Sequence, residues 1–281
     1  MDSGSSLPLG SIAGIPVRLH VTFPLLFVMG LLAEAASYSW SGASVGWAAI
    51  MYGPVLLGTV LLHELGHCLA ARQAGGHADG ILLWPLGGLA YIAHASGPKA
   101  DLFIALAGPA THIPQFLVWF ACLFPAYHAA YGSWSVSLAI PPPQQHFGLA
   151  VVAGACQLNL ALAAFNLLLP AYPLDGGRIF ADLLLLAGLR TALAARTTAS
   201  VATVLGLGVL GVGVWRTQVL TIAVGGWMLY TTAQLWKTIQ AGTVDQHPMF
   251  SFTAAQQARD AGTALPAAGT GYSRYVGSGA V

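Results

Sequence analysis

Trp47–Ala71 reads WAAIMYGPVLLGTVLLHELGHCLAA, and Glu64 is its one formally charged residue. A helix needs about 20 apolar residues to cross the hydrocarbon core of a bilayer, so this stretch predicts a membrane span. Inside it stand His63, Glu64 and His67, spaced as HExxH. Positions i and i+4 share one helix face, which lets both histidines bind a single metal ion. Glu64 stands beside them, where it can act as general base toward a water. Ionisable groups inside a span are costly and mark function by default. The competing reading is a polar cluster satisfied by neighbouring helices.

The rest of the chain is of the same kind. Of 281 residues, 56% are hydrophobic and 7% are charged. A soluble domain carries about 25% charged residues. The mean hydropathy of +0.71 agrees. Composition thus excludes an ordinary cytosolic enzyme, a disordered chain and a nucleic-acid binder, and a net charge of +1 offers nothing to a polyanion. It predicts an integral membrane protein with the lipid bilayer as its surroundings. Cys68, Cys122 and Cys156 lie in apolar runs and read as packing residues, not as a disulfide framework or CxxC site.

Working outward, six runs are long enough to be spans: Val17–Ala36, Trp47–Ala71, Ala100–Phe124, Phe147–Leu169, Thr197–Val214 and Gln218–Lys237. The third carries Pro109 and Pro114 and should kink. The fourth should continue in broken form to Leu189. The fold class is therefore an all-α polytopic membrane bundle of about six helices. Between the second and third runs, Asp79–His94 is apolar but short and broken by Pro85, Gly87 and Gly88. Such a segment fits a small membrane-associated β element beside a cavity. In the fifth run Gly206, Gly208, Gly211 and Gly213 read as a helix-packing face.

Residues 1–16 read as an N-terminal tail without the basic region of a signal peptide. Residues 17–239 read as one membrane domain, and 240–281 as a mostly disordered tail. Lysine and arginine sort by side. With the N-terminus in the cytoplasm, Arg18, Arg72, Lys99, Arg178, Arg190, Arg196, Lys237, Arg259 and Arg274 fall on that side and only Arg216 opposite. The positive-inside rule then puts both termini in the cytoplasm.

A catalytic zinc takes three protein ligands and keeps one position open. Asp175 is the best third candidate. It follows Pro170 and Pro173 and precedes Gly176 and Gly177, in a stretch that breaks the fourth helix. A plain turn capped by Asp is the alternative.

HELGH in one apolar helix, with NLLLPAYPLDGGR at 166–178, resembles the site-2 protease family of intramembrane zinc metalloproteases (peptidase family M50). Gly10–Phe23, Pro85–Gly88 and Ala107-Gly108-Pro109 are similar to further family motifs, and together these cover about residues 10–190 in order. The resemblance implies one zinc per chain held by His63, His67 and Asp175. It also implies Glu64 as catalytic base, and Asn166 as a residue that steadies substrate near the scissile carbonyl, with Asn159 assisting. The implied reaction is peptide hydrolysis in or near the spanning segments of membrane-anchored protein substrates, as in regulated intramembrane proteolysis. Where the family often has Asn a few residues after its AGP motif, this chain has Thr111 and His112. The family's PDZ and CBS domains have no room here, which predicts a core-only form. Oligomeric state is not legible.

Two rivals remain. A CAAX-processing type of hydrolase takes a later Glu as third ligand, and the only Glu besides Glu64 is Glu34. A catalytically silent or transport-type metal-binding protein would need a polar path through the bundle.

Overall fold

A computed structural model describes residues 5–37, 41–94, 96–247 and 249–251. Two strands come first, β1 (Ser6–Ile12) and β2 (Ile15–His20), followed by α1 (Phe23–Ser37). The expected span from Val17 and the expected tail through residue 16 are both displaced by this hairpin. The reason is period-two patterning: Ile15 and Val17 are buried, while Pro16 between them is exposed. Pro24, next to the first residue of α1, has its backbone preset for a helix start.

The HELGH run is helical from α2 (Gly42–Ile50) through a π-helical turn, Met51–Val55, into α3 (Leu56–Gln73). Pro54 lies in that turn, where it withholds an N–H from the helical ladder and kinks the chain. Strands β3 (His77–Trp84) and β4 (Gly87–Ala93) form the expected hairpin. It does not stand alone. The sheet order is β1-β2-β3-β4, with β2 and β3 parallel and Val17 opposite Ile81.

The third run is α4 (Pro98–Ala110) and α5 (His112–Tyr131), bent at Thr111. The fourth is α6 (Phe147–Leu168), and its broken continuation is α7 (Asp175–Leu186). Next come α8 (Thr191–Trp215) and α9 (Val219–Ala241). Among the described residues, four helical stretches are long and apolar enough to cross a membrane: Gly42–Gln73, Pro98–Tyr131, Phe147–Leu168 and Thr191–Trp215. The expected count of six is not reached by this measure. Phe23–Leu32 of α1 is apolar but shorter, and α9 is not among the four.

In the fifth run only part of the glycine face packs. A Cβ at Gly206 would meet Leu229, and one at Gly213 would meet the backbone of Ile222 in α9. Gly208 and Gly211 face open space. Small residues thus bring α8 and α9 together, as van der Waals packing in lipid requires.

The chain after α9 is ordered as far as it is described. Val244, Met249 and Phe250 join the cluster formed by Ala171, Tyr172 and Leu174. Burying a phenylalanine fully contributes about 1.5–3 kcal/mol. His247 stands edge-on to the Tyr172 ring at 5.2 Å. Burial pushes its pKa down to about 4, so it docks as the neutral ring. The expected tail from residue 240 is therefore structured through Ser251, and residues 252–281 lie outside the described part.

Candidate metal centre

His63 and His67 sit one turn apart on α3, at the depth where α4, α7 and the β3–β4 hairpin converge on it. Gly66 allows this approach: a Cβ there would stand 2.7 Å from the carbonyl oxygen of Ala107 on α4. Asp175 is the first residue of α7. The chain reaches it through Pro170–Leu174, with Tyr172–Pro173 in the cis form. This loop folds back tightly on the helix start. A Cβ on Gly176 would collide with the Leu169 carbonyl, and one on Gly177 with the backbone of Ala171 and Tyr172. The two glycines of LDGG are there for space. The N-terminal end of α7 is also a favourable place for a carboxylate.

Three ligating groups meet at one point. His63 Nε2 lies 3.0 Å from Asp175 Oδ2, His67 Nε2 lies 3.2 Å from Asp175 Oδ1, and the two Nε2 atoms are 3.1 Å apart. Among the described residues this is the one group of three or more His, Cys, Asp or Glu side chains close enough to share an ion. All three are buried, with 8% exposure or less.

The donor chemistry demands a cation. His67 Nδ1–H donates to the Ile104 carbonyl at 2.7 Å. A carbonyl only accepts, so the neutral ring keeps its lone pair on Nε2. That lone pair faces a second imidazole nitrogen and a carboxylate. Asp175 Oδ2 is buried without a hydrogen-bond partner despite its closeness to His63. Ligands about 2.0–2.1 Å from a tetrahedral zinc lie roughly 3.3 Å from one another. The observed triangle is close to that, so the residues fit a zinc ion.

Glu64 stands beside the triangle, buried, with β4 packed against its carboxylate. Gly88 makes room for it: a Cβ there would lie 2.7 Å from Glu64 Oε1. Gly108 of the Ala-Gly-Pro motif does the same for the metal ligands. A Cβ at Gly108 would overlap His67 Nε2 and stand 2.8 Å from His63 Nε2. We therefore expect Gly108→Ala to lower zinc content markedly in folded protein. Full zinc occupancy in that variant, measured by metal analysis, would show that the floor of the site can yield.

A cavity of about 290 Å³ opens from this centre. Its walls are mostly apolar and include Phe23, Tyr52, Trp84, Leu89 and Trp227. Asn166 of α6 faces the same cavity, and its Nδ2 donates to the Leu162 carbonyl at 3.0 Å. Asn159 lies deeper, fully buried, and bonds His112.

One buried network was not legible in the sequence. Arg178 Nη2 donates to Asp101 Oδ1 at 2.6 Å, and His94 Nε2 lies 2.8 Å from the same oxygen. Asp182 also contacts Asp101. His94 lacks ligand spacing and reads from sequence as an interfacial or loop residue, yet it is 2% exposed. Asp101 of α4 thus ties His94, just after β4, to Arg178 of α7, the helix that begins with Asp175. A charged residue inside the third apolar run was the available signal.

Comparison with known proteins fits this geometry. The sequence model of peptidase family M50 matches residues 52–134, which include HELGH and Ala107-Gly108-Pro109. The chain is 32% identical to Rip3 of Mycobacterium tuberculosis over 251 residues, which are 82% of this chain and 58% of Rip3. It is 33% identical over 180 residues to the zinc metalloprotease MJ0392 of Methanocaldococcus jannaschii, covering 64% of this chain and 45% of that one. The solved site-2 protease of Methanocaldococcus jannaschii matches with a TM-score of 0.54 and 27% identity, over 82% of this chain and 94% of that chain.

Residues 52–134 are a peptidase family M50 segment, and the chain is similar to a site-2 protease over 82% of its length. It spans less than two thirds of the length of these curated M50 relatives. The M50 residues expected from the sequence, His63, Glu64, His67 and Asp175, are together in space, and Asn166 lines the same cavity.

Proposed function

We propose that this chain is a zinc metalloendopeptidase that cuts membrane-anchored proteins in or near their spanning segments, and that its biological setting is regulated intramembrane proteolysis. The observation that carries this reading is the convergence of two imidazole lone pairs and a carboxylate, with a spare carboxylate beside them, at the inner end of an apolar cavity. The M50 relatives named as zinc metalloproteases support it.

Zinc, when bound, supplies Lewis acidity: it polarises a carbonyl and lowers the pKa of a water from 15.7 to about 7. The residues do the rest. Glu64 takes the proton from the attacking water and returns it to the leaving amine. Asn166 offers the second hydrogen of its amide to the developing oxyanion, a contact of a kind worth about 3–4 kcal/mol elsewhere. The apolar walls suit a hydrophobic segment. A helical substrate hides its carbonyls, so it must unwind first. The outer edge of β4 ends the sheet at the cavity, and strand addition there would hold an extended segment in reach.

The test is cleavage of a tethered membrane substrate by purified protein, with metal analysis alongside. Cleavage with close to one zinc per chain is expected, and His63→Ala/His67→Ala should lose both. A full equivalent of zinc in the double variant would end the assignment. Zinc passage into vesicles without cleavage would favour transport instead.

The matching orientation has about six crossings, with α1 and α9 completing the set, and both termini in the cytoplasm. Reporter fusions at Met1 and after Val281 should both read cytoplasmic. A signal from the opposite side at either end would overturn this orientation.

A further inference from the structure

The deepest polar contacts of the centre are not with the metal ligands' own elements. His112, first residue of α5, is buried with its Nε2 3.1 Å from His63 Nδ1 and its Nδ1 3.0 Å from Asn159 Oδ1. Asn159 Nδ2 donates to the Ala155 carbonyl at 3.0 Å.

The direction of every hydrogen in this chain follows from its far end. The Ala155 carbonyl can only accept, so the amide nitrogen of Asn159 lies on that side and its Oδ1 faces His112. Oδ1 also only accepts, so His112 Nδ1 carries the hydrogen. The neutral ring then has its lone pair on Nε2, which accepts the Nδ1–H of His63. His63 is left with its Nε2 lone pair directed at Asp175 and His67.

We propose that His112 is a positioning residue for the metal centre: with Asn159 behind it, it fixes the tautomer and the ring angle of His63. It is not itself a ligand, because its Nε2 meets the far side of the His63 ring. The Ile104 carbonyl does for His67 what His112 does for His63. This proposal rests on the metal reading above. It also gives a role to the residue that stands where the family often has Asn.

Outer partners of this kind are typically worth about 10–100-fold in metal affinity. The test measures zinc affinity of the full detergent-solubilised chain by chelator competition, together with the absorption spectrum of the cobalt-loaded form. His112→Leu leaves the His63 Nδ1–H without an acceptor and should weaken zinc about 10–100-fold, with an altered cobalt spectrum. His112→Gln can place its Oε1 near the former Nε2 and should stay within about threefold of wild type, with the cobalt spectrum retained. Asn159→Leu keeps the ring but frees its tautomer, and should fall between them.

Wild-type affinity in His112→Leu would overturn the proposal. So would a Gln variant as weak as the Leu variant, since packing or direct ligation would then explain both. Where the Leu variant does not fold, unchanged affinity in Asn159→Leu overturns the relay and a several-fold loss supports it. Wild type that binds no zinc ends the metal reading itself, whereas wild type that binds zinc with no variant effect ends only the role of His112.

Discussion

Glu64→Gln is expected to fold, to bind zinc and to stop turning over. Glu64 does not belong to the triangle of ligating atoms, so its replacement removes no ligand. Gln has the same shape, and the space opposite Gly88 accepts it without displacement. What is lost is the ability to take a proton. General base catalysis contributes about 10²–10⁴ in rate, and the same group serves again at the leaving amine, so the loss should be at least that large. Single-turnover assays at matched zinc content are the measurement. Cleavage near the wild-type rate would remove Glu64 from the chemistry and send the search for a base elsewhere in the cavity.

Asp175→Asn should be as damaging by a different route. The two histidines are neutral ligands, so Asp175 supplies all the negative charge of the set. In a buried site a divalent ion cannot do without it. Asparagine keeps the shape and removes the charge. Zinc affinity should fall beyond the about 10–100-fold that loss of an outer partner costs, and activity should be absent even with excess zinc. Asp182→Asn is the control on the same helix. Asp182 is buried near Asp101 and Arg178 and does not belong to the triangle of ligating atoms. Asparagine keeps the shape there and removes no ligand, so this variant should keep most of its zinc and activity. An inactive, zinc-poor Asp182→Asn beside a normal Asp175→Asn would mean that the third ligand is misassigned.

The centre was legible because its chemistry is written at short range. HELGH places His63, Glu64 and His67 within about one turn of helix, and the Pro-and-Gly-rich stretch around Asp175 marks a break in an apolar run. The β3–β4 hairpin was legible for the same reason. The hairpin of β1 and β2 was not. Its alternation covers only Ile15, Val17 and Leu19, and the apolar run that follows absorbs it into a helix-length segment. Asp101, His94 and Arg178 were missed because their meeting depends on tertiary packing: Arg178 lies far along the chain from its partner. His112 is the intermediate case. Its departure from the family pattern drew notice, but the groups on either side of it, His63 and Asn159, come from α3 and α6.

The segment at 244–251 gives the centre a place in time. The loop before Asp175 shares one buried cluster with Val244, Met249 and Phe250, which follow α9 in the chain. A ribosome therefore delivers both histidines early, then Asp175, and only later the side chains that close the hydrophobic floor beneath its loop. A nascent chain halted at Gly242 already holds His63, His67 and Asp175, and α8 and α9 already pack with the loop before Asp175, but Val244, Met249 and Phe250 are still missing from that cluster. The hydrophobic cluster behind the Asp175 loop is thus completed only after every helix that packs into it has been made.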